Sequence, residues 1–262
     1  GYYVKQEGTK ANGTKAEEDG QVTVSGGSAE NPTSNTITII NNQEGSKAYT
    51  DSDRKRDDER DTSAKVTLDN VNINASGKDE AGMSVEGTGD VTIEIGNYNS
   101  GVNRITSGGS HAGIEKTGSG TLVIRDDVSQ GNGYLEVTGG AGAAGIGSAA
   151  GKDVSNIFID NGQITAKGGN GANGGGAGIG SGAGGNAENI TIRNGAFDIT
   201  GGAGTGEGAN GGAGIGSGAN GTNKDLTIIN GTFNSVTGGS GANAGAGIGS
   251  GGNGTNASTT VQ

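Results

Sequence analysis

Short apolar segments of alternating character recur along the chain at a nearly constant interval. Ala-Gly-Ile-Gly stands at 144–147, 177–180, 213–216 and 246–249, so Ile146, Ile179, Ile215 and Ile248 are 33, 36 and 33 residues apart. Ala112-Gly113-Ile114 and Ala81-Gly82-Met83 continue the series toward the N-terminus at steps of 32 and 31. Each period holds two further alternating segments, as in Ile190-Thr191-Ile192 followed by Phe197-Asp198-Ile199, with Arg193-Asn194-Gly195 between them. Three short strands per period, joined by one tight turn and two glycine-rich turns, read as one coil of a stacked solenoid. An antiparallel hairpin stack would need a second tight turn in every unit.

The middle segment recurs as Ile37-Thr38-Ile39, Val66-Thr67-Leu68, Val91-Thr92-Ile93, Leu122-Val123-Ile124, Ile157-Phe158-Ile159, Ile190-Thr191-Ile192, Leu226-Thr227-Ile228 and Thr259-Thr260-Val261. These copies predict an all-β, right-handed parallel β-helix of about 7–8 coils, roughly 35–40 Å long at about 4.8 Å per coil. Ala177, Ile179, Ile190, Ile192, Phe197 and Ile199 are the expected inward positions of one coil. Stacked like on like, they bury a column that no single coil could bury alone.

Two positions beyond the middle strand stand Asn41, Asn70, Asn161, Asn194 and Asn230, and three of these precede glycine. Asn and Gly accept left-handed torsions, so the pair marks a sharp bend, and stacked bends predict an asparagine ladder. Such a bend resembles the turn between the second and third strands of pectate-lyase-type right-handed β-helices. The repeat, AGIGSG followed by ITIxNG, resembles glycine-rich repeats of large bacterial surface proteins, often labelled carbohydrate-binding. The resemblance implies the fold; the sequence has no recurrent grouping of Lys or Arg with Asp on neighbouring coils, and no aromatic platform for sugar stacking, to carry lyase activity over.

Composition sharpens this picture. Sixty of 262 residues are glycine, only 29% are hydrophobic, and cysteine is absent. Such a composition alone would suggest disorder; the period argues for a packed repeat instead. A net charge of -11 disfavours nucleic acid and anionic membrane surfaces as partners, and no apolar run reaches the length of a membrane span. Residues 1–20 read as an irregular N-terminal segment or cap, with Tyr2-Tyr3-Val4 as a first strand. Residues 21–262 read as a single β-helix domain interrupted by a charged excursion at 51–61.

The candidate chemistry is sparse. His111, the one histidine, reads as an exposed turn residue, and Asp126-Asp127 is too close a pair to flank a glycosidic bond. A single calcium site among Asp51, Asp53, Asp57 and Asp58 is the one metal reading left open; no other cofactor is expected. If Ala177, Ile179 and Ser181 face inward, strand alternation turns the glycines out. Gly145, Gly147, Gly178, Gly180, Gly214, Gly216, Gly247 and Gly249 would then form a face without side chains. Glycine in a strand marks close approach of a ligand or of another backbone, so this face is either a floor for a glycan or protein, or the seat of packed loops. The expected function is a non-catalytic extracellular module of a bacterial surface protein, an adhesin or stalk that meets a glycan or host protein, with further domains in the same polypeptide. A β-helix polysaccharide lyase or hydrolase, and a phage or autotransporter receptor-binding segment, are the alternatives.

Overall fold

A computed structural model describes residues 2–6, 14–16, 21–43, 45–48, 63–96, 101–126 and 133–262. Among these, 23 strands and no helix build a parallel β-solenoid with three sheets. Strands are numbered in chain order.

The first sheet stacks β4 (Ile37–Ile40), β6 (Met83–Glu86), β9 (Ile114–Lys116), β12 (Ile146–Gly147), β15 (Ile179–Gly180), β18 (Ile215–Gly216) and β21 (Ile248–Gly249) in parallel. The second stacks β3 (Gln21–Gly26), the first half of β5 (Ala64–Asn74), β7 (Val91–Ile95), β10 (Leu122–Asp126), β13 (Val154–Asp160), β16 (Ala187–Arg193) and β19 (Thr222–Ile229). Beyond β19 come β22 (Thr255–Asn256) and β23 (Thr259–Val261). The third runs from the end of β5 through β8 (Asn103–Thr106), β11 (Tyr134–Thr138), β14 (Gln163–Lys167) and β17 (Ala196–Thr200) to β20 (Thr232–Thr237). Because β5 continues through the bend, the second and third sheets are joined.

Five turns carry three separate strands each, from β6 through β20. That is fewer than the 7–8 coils expected from the sequence, because the end turns are incomplete and β5 serves two sheets. One assignment also changes. Ile37-Thr38-Ile39 lies in the first sheet, paired with Met83-Ser84-Val85, and Val22-Thr23-Val24 takes the place expected of it in the second. At the N-terminal end β1 (Tyr2–Gln6) runs antiparallel to β4, and β2 (Thr14–Ala16) antiparallel to β1. The expected irregular segment thus contributes a two-stranded cap, which ends the first sheet with an antiparallel pair. The excursion at 51–61 lies outside the described residues.

Register stacks like on like. Leu122, Ile157, Ile190 and Leu226 form one inward column, and Ile124, Ile159, Ile192 and Ile228 the next. Ile146, Ile179 and Ile215 form the column of the first sheet, and all eleven are at most 1% exposed. In the third sheet Phe197 and Phe233 stack at 5.2 Å between ring centroids. Burying each aliphatic side chain contributes about 1.5–3 kcal/mol, realised only when a neighbouring coil covers it.

Candidate functional site

The expected bends are left-handed: φ is 53° at Asn70, 75° at Asn161, 56° at Asn194 and 59° at Asn230. Asn41 is the exception. It is fully buried at the end of β4, where its amide donates to Asp90 O (2.7 Å), so it belongs to a first-to-second turn. The asparagine side chains do stack from coil to coil, but at other positions. Asn189 donates to Asn156 Oδ1 (2.7 Å), Asn243 to Asn210 Oδ1 (2.9 Å), Asn253 to Asn220 Oδ1 (3.3 Å) and Asn223 to Asn256 Oδ1 (2.7 Å). Asn156 and Asn189 are left-handed residues that the pairing of β13 with β16 skips in both strands, with no change of register. Their 33-residue spacing, just before each apolar triplet, was the signal available in the sequence.

The glycine face is covered. Gly145, Gly147, Gly178, Gly180, Gly214, Gly216 and Gly249 are buried and Gly247 is half-buried, so the open floor is replaced by packed backbone. Each first-to-second turn bonds to the third-to-first loop of the preceding coil: Ala183 N to Gly142 O (2.7 Å), Ala219 N to Gly175 O (2.9 Å) and Gly252 N to Gly211 O (2.7 Å). Strand alternation also fails there. Gly180 has φ +137°, and a methyl on it would overlap Gly216 O of the next coil. A methyl on Gly178 would meet the Ile199 side chain. These residues are glycine because neighbouring backbone and side chains occupy the space a Cβ would need.

The serine after each Ala-Gly-Ile-Gly completes the wall. Ser181 Oγ donates to Gly185 O (2.7 Å) and accepts from Gly218 N of the next coil (3.0 Å); Ser148 and Ser217 do the same. Charged pairs hold the outer faces in register. Arg125 meets Glu94 at 2.7 Å and Arg193 meets Asp160 at 2.6 Å in the second sheet, while Arg104 meets Glu136 at 2.8 Å in the third. Lys224 pairs with Glu188. Arg193 also lies 5.5 Å above the Phe158 ring.

Three of the remaining candidates separate. His111 is half-buried, its Nδ1 3.0 Å from Glu115 Oε2, rather than an open turn residue. Asp126 accepts from Gly133 N (2.8 Å), and Asp127 lies outside the described residues. Asp51, Asp53, Asp57 and Asp58 also lie outside them; among the described residues no group of three or more His, Cys, Asp or Glu is placed to hold a metal ion.

One concave feature was not anticipated. From Ile114 to Leu122 the chain takes eight residues, whereas from Ile146 to Ile157, Ile179 to Ile190 and Ile215 to Leu226 it takes eleven. Consequently β13 begins pairing with β16 at Val154, but with β10 only at Ile157. Val154 and Ser155 overhang the shorter coil, and beneath them opens a cleft of about 390 Å³ against 117–119. Lys116 lines it, only 4% exposed, in the column that Ser148, Ser181 and Ser217 occupy in later coils. Its Nζ donates to Gly118 O. Burial lowers its pKa to about 8, and the Asp90 charge partly opposes that shift. No family model, curated protein or solved structure matches the chain.

Proposed function

We propose that this chain is a non-catalytic, load-bearing repeat module of a bacterial surface protein, a rigid extracellular spacer of the kind its AGIGSG and ITIxNG repeats resemble. What supports the reading is where the polar side chains go. Glu94, Asp160, Glu136 and Glu188 are each matched by a cation on the adjacent coil, and serine and asparagine columns run along the stack in parallel with them. Bonds between coils resist separation of coils. The glycine wall favours spacer over adhesin, because the surface expected to receive a glycan or host protein is occupied by the chain's own loops.

Single-molecule stretching between the termini tests this. A spacer lengthens in discrete steps of about one coil each, at high force. Smooth extension at low force would contradict it, and so would release of product from any member of a panel of pectic and other uronic polymers.

A further inference from the structure

The two most buried arginine side chains of the second sheet rest on carboxylates, Arg125 on Glu94 and Arg193 on Asp160. Lys116 is as deeply placed, yet its ammonium meets a neutral carbonyl, and no carboxylate of the described residues lies within 4 Å. The Asp90 charge acts on it only from beyond ion-pair distance, and a buried cation with no anion in contact is unfavourable unless a carboxylate or other anion reaches it. Lys116 lines the overhang cleft, whose volume of about 390 Å³ lies in the range of small-molecule sites.

The rest of the lining limits what that anion carries. Ser119 and Ser155 bring hydroxyls and Asn186 an amide, while Asp153 and Glu188 place two exposed carboxylates at the rim. Asp153 Oδ1 already accepts from Asn186 N (2.7 Å), and Glu188 pairs with Lys224, which leaves an oxygen of each for further donors. A second negative charge on the ligand would face these carboxylates; neutral hydroxyls would donate to them.

We propose that the cleft is a binding site for a hydroxylated monocarboxylate, a sugar acid whose carboxylate sits on Lys116 and whose hydroxyls reach Asp153 and Glu188. The site is distinct from the spacer role and does not depend on it. It arises where the short-turn coils meet the glycine-rich repeats, and the described long-turn coils carry serine instead of lysine at this position.

The full chain is titrated calorimetrically with sodium glucuronate, glucose, citrate and a short neutral xylo-oligosaccharide bearing a single glucuronate; the oligomer distinguishes a free acid from the unit of a polymer. One-to-one binding of glucuronate or the oligomer is expected, at least tenfold tighter than glucose or citrate and at least tenfold weaker in Lys116→Met. The same site is read without any variant by NMR of the Lys116 amine, whose titration midpoint rises when glucuronate is added. Absence of saturable binding by both acids, equal binding of glucose, an unaltered affinity in Lys116→Met or an unmoved Lys116 midpoint would each overturn the assignment.

Discussion

The coils β6–β8 and β9–β11 close the first sheet with side chains; the coils from β12 onward close it with backbone. In the earlier part Ala112 N is satisfied by the Glu115 carboxylate (2.9 Å), which also holds His111. At the equivalent place Ala144, Ala177 and Ala213 donate to the carbonyls of Ser148, Ser181 and Ser217 (3.0, 2.9 and 3.1 Å). The second position of the first-sheet strand changes accordingly, from Ser84 and Glu115 to Gly147, Gly180 and Gly216. Their φ values of +144°, +137° and +129° are open to glycine alone. One solenoid therefore contains two solutions to the same corner. The side-chain version tolerates different residues, whereas the backbone version repeats nearly unchanged because almost nothing in it can be replaced.

The largest effect that would break this contrast comes from one methyl group. Gly180→Ala is expected to cost about 3 kcal/mol or more, combining strain with overpacking, while Ser84→Ala in the same column costs less than about 1 kcal/mol. Urea unfolding midpoints measure both. If the two losses are equal, the corners do not differ. Next is Ser181→Ala, which leaves Gly185 O and Gly218 N buried without a partner; the expected loss is about 2 kcal/mol. Glu115→Ala probes the earlier corner by uncovering Ala112 N, with an expected loss of about 1.5 kcal/mol by the same assay.

The smallest effect has the opposite sign. Lys116 stands where later coils have serine, and Lys116→Met is expected to gain about 1 kcal/mol at pH 7, since a buried charge is replaced by an apolar chain of similar length. The pH dependence follows from its lowered pKa. With a folded value of about 8 against 10.5 when unfolded, the unfolded chain holds more protons between those values. This residue therefore makes stability rise as pH climbs from 8 to 10.5 and contributes no slope below 8. Thermal melts of wild type minus Lys116→Met across that window isolate the slope, and a flat or falling difference would refute the burial of the charge.

The period, the inward columns and the asparagine bends were legible in the sequence because each depends on local residue type: Ile190 and Ile192 alternate, and Asn194-Gly195 adopts the torsions only such a pair accepts readily. Sheet membership was less legible. Ile37-Thr38-Ile39 has the same alternation as a second-sheet strand, and only its pairing with β6 places it in the first. The outward direction of the glycines was misread because alternation assumes extended torsions, which Gly147, Gly180 and Gly216 do not have; packed loops were one of the two readings left open for that face. The cleft was visible as a change from eight to eleven residues between columns and as lysine in place of serine at 116, but its shape depends on the overhang of β13, a property of register between coils.

Amide hydrogen exchange on the first sheet tests most directly whether its glycine face is a closed wall. Ile179 N and Ser181 N donate to Gly214 O (2.9 Å) and Gly216 O (3.2 Å) beneath the crossed loops. A closed wall protects both amides as strongly as those of Ile190 and Ile192 in the second sheet, with exchange only on global opening. Exchange of Ile179 and Ser181 as fast as that of exposed loop amides, while Ile190 and Ile192 stay protected, would mean that the face is open and would contradict the wall.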